Sequence, residues 1–184
     1  PQDLLTQTDI VDESARALQS LYRDTEGIVA AIGFVEKDGD SLYNSAAILQ
    51  DGEMRAVVRK TNLPTYDVFD EARYFTPAKE AKPVKLIVQD KPLAIGFEIC
   101  EDLWNGHYRR DVTEILAQKG AQLIITLNAS PYYVGKTQER IELLRTRAQR
   151  CHLPIFYTNL VGGQDELVFD GRSFAIGVDG SLIA

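Results

Sequence analysis

Three apolar runs in this chain end in groups capable of covalent chemistry. Leu93-Ala94-Ile95-Gly96-Phe97 reads as a buried strand and leads into Glu98-Ile99-Cys100-Glu101-Asp102-Leu103-Trp104, where three carboxylates and a thiol fall within five positions. Ala56-Val57-Val58 stops at Arg59-Lys60, and Leu123-Ile124-Ile125-Thr126-Leu127 stops at Asn128-Ala129-Ser130-Pro131. Open α/β sheets hold their ligands at the carboxyl ends of strands. A thiolate placed there, facing the N–H groups of the next turn, is a nucleophile for acyl transfer. It needs a nearby cation to exist at neutral pH, and the carbonyl it attacks needs donors for the developing oxyanion; Lys60 suits both tasks. The residues alone leave plainer readings open. Free cysteine is among the most buried residue types, and a lysine at a strand end is ordinarily solvated.

Other chemistries find little support. His107 falls in a loop after Trp104 and His152 at a helix end beside Cys151, and neither has a partner at catalytic spacing, so both read as structural. There is no CxxC, HxH or HExxH pattern and no glycine-rich phosphate loop, so neither metal chemistry nor ATP binding is expected of this segment.

The elements that must position these groups follow from periodicity. Helices are expected over 9–22, 110–119 and 137–150, the last rich in arginine, with Gly120 closing the second. Strands are expected over 27–35, 43–49, 54–58, 84–88, 93–99, 121–128, 155–159 and 173–178. Asp51-Gly52 is a hairpin signal, Gln89-Asp90-Lys91-Pro92 joins two strands, and Gly162-Gly163 reads as a loop. The aromatic and charged stretch Tyr66 to Phe75 is a long loop of the kind that is more often functional than ornamental. Hairpins mixed with strand–helix–strand units imply a mixed sheet, or two sheets, with helices outside.

Composition sets the boundaries. The 184 residues suit one domain, 45% are hydrophobic and 26% charged, and the net charge of −7 argues against a nucleic-acid partner. No run of eighteen apolar residues exists to span a membrane. Two cysteines, Cys100 and Cys151, do not make a disulfide framework and fit a reducing cytoplasm. Beginning at Pro1 without methionine and ending at Leu182-Ile183-Ala184 inside an apolar run, the chain reads as a piece of a longer polypeptide.

Arg59-Lys60-Thr61-Asn62-Leu63-Pro64, Phe69-Asp70-Glu71-Ala72-Arg73-Tyr74-Phe75 and Glu98 to Trp104 resemble the motifs of the nitrilase (carbon–nitrogen hydrolase) superfamily. Asn128-Ala129-Ser130-Pro131-Tyr132, Gly135-Lys136, and Asn159 onward to Phe169-Asp170-Gly171-Arg172-Ser173 follow in order and resemble one branch of it, the glutaminase domains of bacterial glutamine-dependent NAD+ synthetases. The resemblance covers essentially the whole chain. It implies an α/β fold, the four-layer α-β-β-α sandwich of the nitrilase type, truncated at its first strand and at its C-terminus. Residues 1–184 would be a partial glutaminase domain, with the synthetase domain absent.

What the resemblance implies for chemistry is a Glu–Lys–Cys triad. Cys100 matches the nucleophile that attacks the side-chain amide of L-glutamine to give a thioester and ammonia. Lys60 matches the lysine that stabilises the oxyanion together with the backbone N–H of Glu101, and Glu71 matches a second glutamate that orders Lys60. Tyr66, Glu101, Ser130 and Lys136 match substrate-binding positions. The family's general base, a glutamate at the end of the first strand, matches no carboxylate here, since Glu13 lies inside an expected helix; the segment by itself is therefore expected to be impaired. No cofactor is implied for this domain, whereas ATP and Mg2+ serve the synthetase domain of the parent enzyme. Implied partners are L-glutamine, that synthetase domain and further copies of the chain, with neither nucleic acid nor membrane. The alternatives are a stand-alone amidase of the same superfamily and a non-catalytic scaffold module acting through oligomer contacts.

Overall fold

Tight hairpins organise the first half of the computed structural model, which describes residues 2–104, 106 and 108–184. His107 thus lies outside the described residues. The chain divides into two compact units, Pro1–Ala81 and Lys82–Ala184.

In the first unit, β1 (Val29–Asp38), β2 (Ser41–Gln50) and β3 (Glu53–Arg59) form an antiparallel sheet in sequence order. Asp51 and Gly52 take φ of 53° and 75°, the two left-handed residues that a two-residue hairpin demands. Helix α1 (Thr8–Ser20) lays Leu18 on Ala47 and Leu49 of β2, with Ala30, Ile32 and Phe34 of β1 beside them. It ends sooner than the apolar periodicity suggests, because Tyr22–Thr25 tightens into a 3-10 turn. β1 runs three residues past the expected stop at Val35, since Glu36, Lys37 and Asp38 pair with Tyr43, Leu42 and Ser41 across the hairpin.

The second unit is a five-stranded mixed sheet in the order β10-β7-β6-β5-β4. Its strands are β4 (Val84–Val88), β5 (Lys91–Ile99), β6 (Leu123–Asn128), β7 (Ile155–Asn159) and β10 (Phe174–Ile176). β5, β6 and β7 run parallel, joined through α2 (Val112–Gln118) and α3 (Lys136–Cys151). Pro92 is tolerated within β5 because the ladder to β6 starts only at Ile95, so no bond on that side needs its missing N–H. Helix α2 begins where Asp111 caps it, the Asp111 side chain accepting from the Glu114 N–H at 3.1 Å. Val112 and Leu116 of α2 and Leu144 and Ala148 of α3 are buried with Ile124, Ile155 and Ile176 of the sheet. Gly96 is required under α2, because a Cβ there would meet Ile124 Cδ1 at 2.5 Å and Leu116 Cδ1 at 3.1 Å.

The expected loop at Gly162-Gly163 is a correction. Both glycines lie in β8 (Val161–Gln164), which pairs antiparallel with β9 (Leu167–Asp170) as a separate two-stranded sheet. Glycine weakens a strand on its own, and here the ladder to β9 supplies what propensity lacks.

The register of the larger sheet aligns Glu98, Thr126, Tyr157 and Phe174 side by side. Laterally paired residues share a face. Glu98 and Thr126 are fully buried and Tyr157 is 1% exposed, so a polar row crosses the sheet where an apolar one would be cheaper.

Candidate active site

Cys100 follows the last residue of β5 and opens a 3-10 turn, Cys100–Leu103. Its φ of 45° is left-handed, which for a residue other than glycine costs about 1–2 kcal/mol and persists only where the surroundings over-determine it. Those surroundings are present. Asp102 reaches back to accept from the Ile99 N–H at 3.2 Å, Glu101, Asp102 and Leu103 are buried, and Arg147 of α3 donates to the Leu103 carbonyl at 3.1 Å. The sharp turn leaves Cys100 half-buried. Strained strand-to-helix turns of this kind lift a nucleophile clear of its own backbone.

Lys136, the first residue of α3, faces the same turn. Its Nζ lies 3.7 Å from the centre of the Trp104 ring and donates to the Tyr133 hydroxyl at 3.3 Å. Burial pulls its ammonium below the ordinary lysine value, while the charges of Glu139 and Cys100 pull it back up. The lysine is thus within electrostatic reach of the Cys100 side chain.

Ser130 lies past the end of β6 and is 3% exposed. Its N–H donates to Asn159 Oδ1 at 2.9 Å, and the Asn159 amide also donates to the Gly171 carbonyl at 3.0 Å. The guanidinium of Arg140, fully buried, wraps the serine from below. Nε and Nη2 donate to Ser130 Oγ at 3.3 and 3.2 Å, Nη2 to the Ser130 carbonyl at 2.7 Å, and Nη1 to Asp170 Oδ1 at 2.7 Å. A buried charge is tolerated when paired and hydrogen-bonded in this way. The Tyr157 hydroxyl adjoins Ser130 without closing a hydrogen bond of acceptable geometry, and burial pushes its phenol up to about 12.

In the first unit, Lys60 leaves the end of β3 and is 2% exposed. Its Nζ donates to Glu71 Oε1 at 2.7 Å, and Asn44 Nδ2 donates to Glu71 Oε2 at 3.2 Å. The loop that carries Glu71 is tied down by its own backbone, Glu71 N–H donating to the Pro64 carbonyl at 2.9 Å. Tyr66 is exposed and packs edge-on against Phe69 at 5.8 Å between ring centroids. Within this unit, then, Lys60 and Glu71 come together; within the other, Cys100, Glu101, Ser130 and Lys136 gather around the ends of β5 and β6 and the start of α3.

Arg140 and Tyr157 were not singled out by the sequence. The available signal was helical spacing: Arg140, Leu144, Arg147 and Ala148 recur on one stripe, and all four are buried. His152 is exposed and closes α3 in the left-handed conformation. Cys151 is half-buried, and burial raises its thiol above the ordinary value. Among the described residues no group of three or more His, Cys, Asp or Glu could hold a metal ion, and no helix is long and apolar enough to cross a membrane.

A parallel strand that delivers a cysteine into a strained turn, beneath helices that clamp the turn, belongs to α/β proteins of the nitrilase fold. The computed structure overlays a carbon–nitrogen hydrolase from Helicobacter pylori with a TM-score of 0.81 at 25% identity, over 100% of this chain and 66% of that one. The chain belongs to the carbon–nitrogen hydrolase family, whose model matches residues 4–184. It is 40% identical over 185 residues to a glutamine-dependent NAD(+) synthetase of Thermotoga maritima and 39% identical over 186 residues to that of Aquifex aeolicus. Each match takes in 100% of this chain and 31% of the relative, so the chain spans less than a third of those proteins. The structure of a glutamine-dependent NAD+ synthetase from Acinetobacter baumannii, solved with ADP, matches with a TM-score of 0.88 and 37% identity, over 99% of this chain and 33% of that one.

Proposed function

We propose that this chain is the glutamine-hydrolysing module of a glutamine-dependent NAD+ synthetase. The observation that carries the reading is Cys100, held at φ 45° where β5 ends, in a chain 40% identical end to end to such a synthetase. Cys100 Sγ attacks the side-chain amide carbon of glutamine, the C–N bond breaks, the leaving nitrogen takes a proton and departs as ammonia, and water splits the resulting thioester to glutamate. Lys60 and the backbone N–H of Glu101 stabilise the oxyanion, and Glu71 fixes the Lys60 ammonium through the 2.7 Å ion pair. Tyr66, Glu101, Ser130 and Lys136 bind the amino acid. The ammonia serves an ATP- and Mg2+-dependent amidation of deamido-NAD+ in a synthetase domain of the same polypeptide, a cytoplasmic homo-oligomer. Because no carboxylate of these 184 residues matches the family's general base, we infer that residues 1–184 alone turn glutamine over slowly.

The test is covalent labelling with a diazoketone analogue of glutamine, read by peptide mass. Cys100 should be modified, Cys151 spared, and free glutamine should protect. In the protein that carries this chain, Cys100→Ala should abolish glutamine-driven NAD+ formation and leave ammonia-driven formation intact. Loss of both activities together, or equal labelling of the two cysteines, would sink the assignment.

A further inference from the structure

Arg140 is an odd residue to bury. It is fully enclosed, yet a single carboxylate, Asp170, would have sufficed to neutralise it at the surface. What burial adds is contact with Ser130. Two guanidinium N–H groups, on Nε and Nη2, converge on the Ser130 hydroxyl oxygen, while Nη2 also donates to the carbonyls of Ser130 at 2.7 Å and Pro131 at 3.2 Å. A serine hydroxyl has two acceptor sites and one proton to give. Arg140 fills both acceptor sites.

The proton is what remains. The acceptor within its reach is the buried Tyr157 hydroxyl, which accepts no hydrogen bond of good geometry from any described residue. Hydroxyls this deeply enclosed are ordinarily satisfied. With the Ser130 acceptor sites filled by Arg140, the two hydroxyls together keep at least one proton unspent, which marks a place prepared for an acceptor.

We propose that Arg140 is a positioning residue for the glutamine pocket, one that turns the Ser130 hydroxyl into a pure donor, so that Ser130 meets the carboxylate of the bound amino acid and not its ammonium group. This deepens the glutaminase reading and rests on it. Asp170 and Asn159 complete the support, the first by orienting the guanidinium through Nη1, the second by holding the Ser130 N–H at 2.9 Å. Lysine cannot replace arginine here, because an ammonium lacks the planar fork that reaches Ser130 Oγ, Ser130 O and Asp170 at once.

The experiment is a double-mutant cycle on ammonia release from glutamine, in the protein that carries this chain, with Arg140→Lys, Ser130→Ala and the pair. Ser130→Ala should raise the glutamine KM about 10- to 100-fold, the range for a lost hydrogen bond to a charged group, with a far smaller change in kcat. Its penalty should shrink toward unity with 4-aminobutanamide, which is glutamine without the carboxylate. Arg140→Lys should raise KM in the wild-type background and add nothing once Ser130 is alanine. A merely structural arginine would impose its full penalty in both backgrounds, and that result overturns the proposal. Should Arg140→Lys fail to fold, by the fluorescence of Trp104, Ser130→Ala alone decides: an unchanged KM, or an equal penalty with 4-aminobutanamide, also overturns it. Cys100→Ala separates this from the larger reading. If that variant still releases ammonia from glutamine, the glutaminase assignment fails and the proposal falls with it; if it is dead while the cycle is additive, only the role of Arg140 is lost.

Discussion

Glu98→Gln should stabilise this protein above pH 7 and change it little at pH 5. Glu98 is fully buried in β5, and among the described residues neither carboxyl oxygen forms a hydrogen bond of good geometry. Burial is the largest influence and pushes its carboxyl up from 4.5 to about 8; Asp102 and Asp111 push the same way, and Thr113 and Arg147 oppose them. The native state therefore keeps this proton between pH 4.5 and about 8, where the unfolded chain has already released it. With the native state binding more protons, stability falls as pH rises through that window and levels off above it. At about 1.36 kcal/mol per pH unit, the loss is about 1 kcal/mol at pH 5 and about 4 kcal/mol at pH 8. Glutamine keeps the shape and stays neutral, so the variant escapes the loss. Urea unfolding from pH 5 to 8.5, followed by the fluorescence of Trp104, the sole tryptophan, measures it directly. The gap between variant and wild type should open by about 3 kcal/mol between pH 5 and pH 8. Parallel curves would refute the reasoning, because they would mean that Glu98 ionises in the native state as readily as in the unfolded one.

Two further outcomes follow from packing and backbone. Gly96→Ala forces a methyl against Ile124 and Leu116 and should cost about 1–3 kcal/mol, seen as a lower urea midpoint at unchanged slope; an unchanged midpoint would mean that Ile124 swings aside freely. His152→Gly relieves a left-handed cap at φ 54° and should gain about 0.5 kcal/mol after the extra freedom of glycine in the unfolded chain is deducted; a lower midpoint would show that the imidazole does more than close the helix.

Local rules made much of this structure legible. Asp51-Gly52 announced its hairpin because both residues of a type I′ turn must be left-handed, and the parallel strands β5, β6 and β7 stood out as apolar runs. Cys100 was visible for the same reason, as the point where an apolar run turns abruptly polar. What stayed hidden depended on distance along the chain. Nothing in the eleven-residue separation of Lys60 and Glu71 announces a 2.7 Å ion pair; family resemblance suggested it and the fold supplies it. Ser130 and Arg140 are ten residues apart, across a turn and into a helix whose buried stripe carries two arginines where leucines would be expected. The strand at Gly162-Gly163 escaped because its stability comes from β9 and not from its own residues.

Those two arginines also fix what α3 can become. Arg140 grips the segment after β6 and Arg147 grips the turn after β5, and both hang from one stripe of a single helix. Insertion or deletion of one residue between them would swing one arginine about 100° around the axis and release one of the two segments. The interior of α3 is therefore a gauge of fixed length: the count of residues between 140 and 147 cannot change while both segments stay gripped.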